Sequence, residues 1–161
     1  MKSAIVAVLL CAGCIFGQTP PLTNNFAAVG ASYLPGGTPA LSGTGMYARL
    51  LSGSSGTYAF TVVDAVPGNT KPFTVTTQTS VGVAQKVFSI GVVPVFIPTS
   101  AGVSWTGTNT GWAWSTGALA LIPLRPNTTW ALMPSARVVK SSVSGGSGYQ
   151  VIVGLAVGWG W

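Results

Sequence analysis

Histidine and glutamate are absent from this chain, and Asp64 is its only carboxylate side chain. General acid–base pairs, Ser-His-Asp triads and carboxylate or histidine metal sites are built from the missing residues, so the expectation is a non-enzymatic protein without a cofactor. Charge of either sign is scarce: charged residues make up 5% of the 161 residues, against about 25% in an ordinary soluble domain, too few to coat a water-facing surface. The basic residues Lys2, Arg49, Lys71, Lys86, Arg125, Arg137 and Lys140 give a formal net charge of +6. They are scattered, whereas nucleic-acid binders cluster their cations, and no nucleic-acid partner is expected. Cysteine occurs only at Cys11 and Cys14, so the chain beyond them has neither thiol nor disulfide. Beyond Gly17 no apolar run approaches the roughly 18 residues of a membrane helix.

What is present begins with an address. Met1-Lys2 precedes the apolar run Ala4 to Phe16 and the small residue Gly17, the order of a cleavable secretory signal peptide. Residues 1–17 are therefore read as that signal, 18–25 as a short polar leader, and 26–161 as one β domain. The stretch Leu10-Cys11-Ala12-Gly13-Cys14 also resembles a bacterial lipoprotein cleavage box with Cys14 as the acylated residue, although Cys11 stands where that pattern prefers Leu.

No later segment sustains a 3.6-residue period. Apolar or alternating stretches are separated by Gly, Pro, Ser and Asn clusters, which is an all-β signature. The expected strands are Phe26–Leu34, Leu41–Leu51, Thr57–Val66, Pro72–Gln85, Val87–Ile97, Gly111–Leu124, Thr128–Lys140 and Gly148–Trp161. Thr99–Thr110 reads as a large loop or an extra short strand near Val103 to Trp105. The last strand is the most regular: Tyr149, Val151, Val153, Leu155, Val157, Trp159 and Trp161 share one face, opposed by Gln150, Ile152, Gly154, Ala156, Gly158 and Gly160.

These strands exceed the ~5 to 6 residues typical of globular sheets and suit the ~9 to 11 that a tilted membrane strand needs. In lipid every backbone polar group must be paired, which for strands requires a closed barrel. Aromatic residues near the strand ends, among them Tyr33, Tyr47, Tyr58, Trp112, Trp130 and Trp159, fit the interfacial level of a bilayer. The fold expected is an all-β, antiparallel, up-and-down transmembrane β-barrel of eight strands.

The terminal strand, ending at Trp161, resembles the assembly signal of Gram-negative outer-membrane barrels. With the export segment and the strand count, the chain is similar to the small eight-stranded barrels of the outer membrane protein X and outer membrane protein A transmembrane-domain type. That resemblance implies a bacterial outer-membrane location, outer-membrane lipid as surroundings and the barrel-assembly machinery as a partner in biogenesis. Tyr149, Val151, Val153, Leu155, Val157, Trp159 and Trp161 then act as signal and interface anchors. The family packs charged networks inside, whereas here a lumen of small residues is expected, helped by Arg49, Lys86 or Arg137 as lumen cations. The function implied is structural or surface-loop-mediated contact at the envelope. Two alternatives stand beside it: a secreted or self-assembling β-sandwich subunit, and a small-ligand binder or narrow channel using the lumen.

Overall fold

Alternating small and large residues punctuated by turn chemistry fold here into antiparallel strands. The computed structural model describes residues 23–34, 40–52, 56–67, 75–125, 128–143 and 146–161. The expected signal segment with Cys14 lies outside them. The strands are β1 (Asn25–Leu34), β2 (Ala40–Ser52), β3 (Thr57–Pro67), β4 (Val75–Ile90), β5 (Val93–Thr106), β6 (Asn109–Ala120), the two-residue β7 (Ile122–Pro123), β8 (Trp130–Val143) and β9 (Gly146–Gly160). Each pairs with its neighbours antiparallel, and β1 pairs with β9 from Phe26↔Gly160 to Tyr33↔Val153, closing the sheet into a barrel.

The closed barrel has eight staves, because β7 continues β6. The pairs Leu119↔Ser135 and Ile122↔Leu132 keep one register along β8, and the ladder lapses between them opposite Pro134, which has no N–H to give. A similar lapse between β5 and β6 falls at Pro98.

The expected bounds need correction chiefly in the middle of the chain, where β5 begins at Val93 and not at Val87. β4 does not stop at Gln85: it runs through Lys86 and a bulge between Lys86 and Phe88 to the turn Gly91-Val92. The bulge inserts a residue and resets the alternation, which made the strand look finished. Thr99–Thr110, expected as a large loop or an extra short strand near Val103 to Trp105, is the end of β5, the turn Gly107-Thr108 and the start of β6. Gly91 and Gly107 hold φ of 58° and 59°, the left-handed region that glycine enters without a Cβ penalty.

Successive side chains face lumen and exterior in turn. On β9 Tyr149, Val151, Val153, Leu155, Val157 and Trp159 are exposed outward, while Ile152, Ala156, Gly158 and Gly160 are buried inward. Inward glycines let neighbouring staves approach closely. A Cβ on Gly102 would lie 2.0 Å from the Thr79 carbonyl oxygen, and one on Gly82 would lie 2.1 Å from that of Thr99, whereas Gly43 has nothing within 4 Å. Glycine at such points allows the sharp bending a narrow barrel needs.

Gly102→Ala is therefore expected to destabilise the barrel by about 1–3 kcal/mol through overpacking, and Gly43→Ala to be neutral or slightly stabilising. Urea unfolding in lipid vesicles followed by tryptophan fluorescence measures both. Equal midpoints for the two variants would contradict the packing role of Gly102.

Candidate functional site

Only two surfaces of a closed barrel can do chemistry, its lumen and its exterior. The lumen is divided along its axis. Towards the end where Asn25 and Trp161 lie it is apolar, with Phe26, Phe60, Phe96, Leu119, Met133 and Ala156 in one buried cluster. Towards the other end it is mixed, with Ser32, Ser42, Gln78, Ser80, Ser100 and Ser115 buried beside Val139 and Ile152. Strand β3 shows the change directly: its inward residues run Tyr58, Phe60, Val62, Asp64.

A crossbar spans the polar half. Arg137 Nη2 donates to Asp64 Oδ1 at 2.8 Å, and the side chains are 9% and 1% exposed. Their strands lie on opposite sides of the barrel, reached as β3–β2–β1–β9–β8 one way round and β3–β4–β5–β6–β8 the other. Thr44 Oγ1 also donates to Asp64 Oδ1 at 2.7 Å and stands 3.0 Å from the Ser32 hydroxyl. Around the rest of the polar half Ser100 and Ser115 share a hydroxyl bond of 2.8 Å, and Gln78 Nε2 donates to Ser80 at 3.3 Å. Asp64 Oδ2 and Ser104 Oγ are buried without a hydrogen-bond partner among the described residues. Among the described residues Asp64–Arg137 is the ion pair, and it obstructs the axis where an open channel would have to pass.

The apolar half holds a cavity of about 50 Å³ between Phe26, Met46, Tyr58, Phe60, Phe96 and Met133, framed at the barrel end by Thr23, Thr129 and Trp130. Tyr58 packs edge-on against Phe96 at 5.8 Å and donates its hydroxyl to the Thr23 carbonyl at 2.9 Å. Two expectations change here. Tyr58 faces inward and is not an interfacial ring, and this half of the lumen is filled by aromatic and aliphatic side chains, not only by small residues.

The candidate lumen cations separate. Arg137 is in the lumen. Lys86 is half-buried at an inward position opposite Phe96, at the apolar end. Arg49 lies on the outer face, because it follows the inward Ala48 in the alternation. Sequence reasoning missed Asp64 as the partner of Arg137. The one signal was a lone carboxylate in phase with the inward residues of β3.

Outside, large apolar residues such as Val29, Val63, Val81, Val153 and Leu155 are exposed. Aromatic rings sit at two levels. One holds Tyr33, Trp105, Trp112 and Tyr149; the other holds Tyr47, Trp130, Trp159 and Trp161. The second level forms a chain of rings over the β1–β9 seam: Trp130–Trp159 at 5.6 Å, Trp159–Trp161 at 6.3 Å and Trp161–Tyr47 at 6.3 Å. Lys140 Nζ lies 5.7 Å from the Trp112 ring and 5.1 Å from the Tyr149 ring. At a rise of about 3.3 Å per residue and a tilt of about 40°, Tyr149 and Trp159 on β9 stand roughly 25 Å apart along the axis. Between the two levels no described outward residue is charged.

No family model matches the chain, and no curated protein does. Among solved structures it is similar to one described as "De novo design of transmembrane beta-barrels", with a TM-score of 0.50 and 18% sequence identity over 88% of this chain and 98% of that one. At that identity the likeness is one of fold, and it assigns no family. The fold is consistent with a membrane-embedded location. No group of three or more metal-ligating side chains occurs among the described residues.

Arg137→Met is expected to cost about 3–5 kcal/mol, since it leaves the Asp64 charge buried and unpaired. The double replacement Asp64→Leu with Arg137→Met should recover most of that loss, because well-packed apolar residues often match a buried ion pair. Denaturant unfolding of the two variants and the parent reads the difference. A double variant no more stable than the single one would show that the crossbar does not act as a pair.

Proposed function

We propose that this protein is a non-enzymatic β-barrel embedded in the bacterial outer membrane, with a structural role in the envelope. The observation that carries the reading is the outer surface: a charge-free apolar band of roughly 25 Å between two levels of aromatic rings, the dimensions of a lipid-facing barrel wall. Residues 1–17 would direct export. Tyr149, Val151, Val153, Leu155, Val157, Trp159 and Trp161 would serve as the strand read by the barrel-assembly machinery and as contacts to outer-membrane lipid. Lys140 between Trp112 and Tyr149 is suited to lie at headgroup level, its stem along apolar rings and its ammonium towards water.

Two observations weigh against the other readings. A β-sandwich subunit that assembles by strand pairing needs an exposed edge, and every stave here is paired on both sides. An open channel is disfavoured by the Asp64–Arg137 crossbar and by the buried side chains of both halves. Surface-loop contact is the weaker form of the envelope role, because the staves are joined by short connections, the widest spanning 68–74.

Membrane fractionation and gel migration before and after heating test the proposal, and release into the aqueous fraction without detergent would sink it. A charge placed at mid-band sharpens the test. Leu155→Arg should destabilise the membrane-inserted barrel by about 2–4 kcal/mol, whereas Tyr149→Arg at the interface should cost about 0–1 kcal/mol. In a water-soluble barrel Leu155, exposed on its outer face, would tolerate arginine as well as Tyr149 does.

A further inference from the structure

We propose that the apolar half of the lumen holds a binding site for one neutral apolar molecule of one or two heavy atoms, the class of dioxygen, between Tyr58, Phe60, Phe96, Met46 and Met133. The volume of the cavity sets the class. At about 50 Å³ it has about a third of the volume of the roughly 150 Å³ apolar cavity that takes benzene. Rings and alkyl chains are too large for it, and a single atom or a diatomic molecule fits. Polarity narrows the choice further. A buried water needs two to four polar partners, whereas this wall is apolar almost throughout and the Tyr58 hydroxyl already donates to the Thr23 carbonyl at 2.9 Å. An ion that leaves water needs a counter-charge, and among the described residues no charged side chain lines the cavity.

The void follows from the order of side chains on the staves. Three inward positions on its wall are alanines, Ala48, Ala84 and Ala131. Across the ladder from them stand Phe60, Tyr58 and Gly158 respectively. Alanine and glycine cannot reach into the lumen, and the rings cannot bend to fill what they leave. Tyr58 is held twice, edge-on against Phe96 at 5.8 Å and through its hydroxyl, so this face of the cavity does not collapse. Met46 and Met133 are unbranched and adaptable, and thioethers pack well around irregular space. Atoms that line an empty void lack dispersion partners, and a small guest supplies them. The mouth lies at the barrel end between Thr23, Thr129 and Trp130, so a guest enters without parting any pair of staves.

The chain supplies its own reporters. Apart from Met1, its methionines are Met46 and Met133, and both line the cavity. The full-length protein, carrying ¹³C-methyl methionine, is placed in phospholipid nanodiscs and equilibrated with xenon at rising pressure, with benzene as the oversized control and methanol as the small polar one. The inference rests on the membrane-barrel reading only for this setting. Heat-modifiable migration of the same sample reports that reading separately, so failure to form a barrel is distinguishable from failure to bind.

Xenon should shift both methyl resonances along a saturating curve, whereas gas dissolved in the bilayer alone gives a linear drift. Dioxygen, which is paramagnetic, should speed the relaxation of both methyls. Ala131→Leu and Ala84→Leu each place a larger side chain in the cavity, and whichever variant keeps the heat-modifiable barrel should weaken the xenon response about tenfold or more. A folded parent barrel in which xenon gives no saturating shift would overturn the proposal. So would saturable binding of benzene, a methanol response equal to that of xenon, or a xenon response unchanged in a folded variant with the cavity filled.

Discussion

The pairing of β1 with β9 is the constraint on which the rest of the molecule depends. With that seam closed, each stave gives its backbone groups to two neighbours and no edge remains. Only then does the alternation of side chains acquire two distinct destinations, a lumen and an exterior. The seam is reinforced from outside: Trp161, Trp159 and Trp130 stack over it, and Tyr47 on β2 continues the contact beyond β1. From inside, Gly154 and Gly158 lie against Ser32 and Phe26 of β1 so closely that a Cβ on either would collide.

Closure also explains why a chain nearly devoid of charge can keep a buried ion pair. Asp64 and Arg137 are 73 residues apart in sequence, and no local interaction brings them together. The cyclic order of staves sets them opposite one another. A buried pair is expensive to desolvate and needs further hydrogen bonds to approach balance. Here Thr44 and, through it, Ser32 extend the pair into a chain of hydroxyls.

Much of this architecture was legible in the alternation of residues. The face of β9 that carries Tyr149 to Trp159 follows from a period of two and nothing else, and the first three staves begin and end within a residue or two of their turn signals. The middle of the chain was not legible in that way. The bulge after Lys86 shifts the period by one, so Gln85 looked like an end and Val87 like a beginning, and Gly107 was one small residue among several in a Thr- and Gly-rich stretch. Aromatic character alone does not state the face of Tyr58; its phase with Phe60, Val62 and Asp64 does. The crossbar was hidden for a deeper reason, since its partners meet only after the barrel has closed.

The distribution of cations follows from the same geometry. Along the outer wall a charge between the aromatic levels would face the apolar band, and none of the described cations lies there. Arg49 and Arg125 sit at one end and Lys140 at the other, with its ammonium over two rings. In the lumen a charge is tolerated either at the mouth, as for Lys86, or deep inside with a partner, as for Arg137. One carboxylate supports one such deep cation. The scarcity of acid in the sequence thus fixes both features of the lumen, a neutral middle bridged once and a positive rim left over at the apolar end.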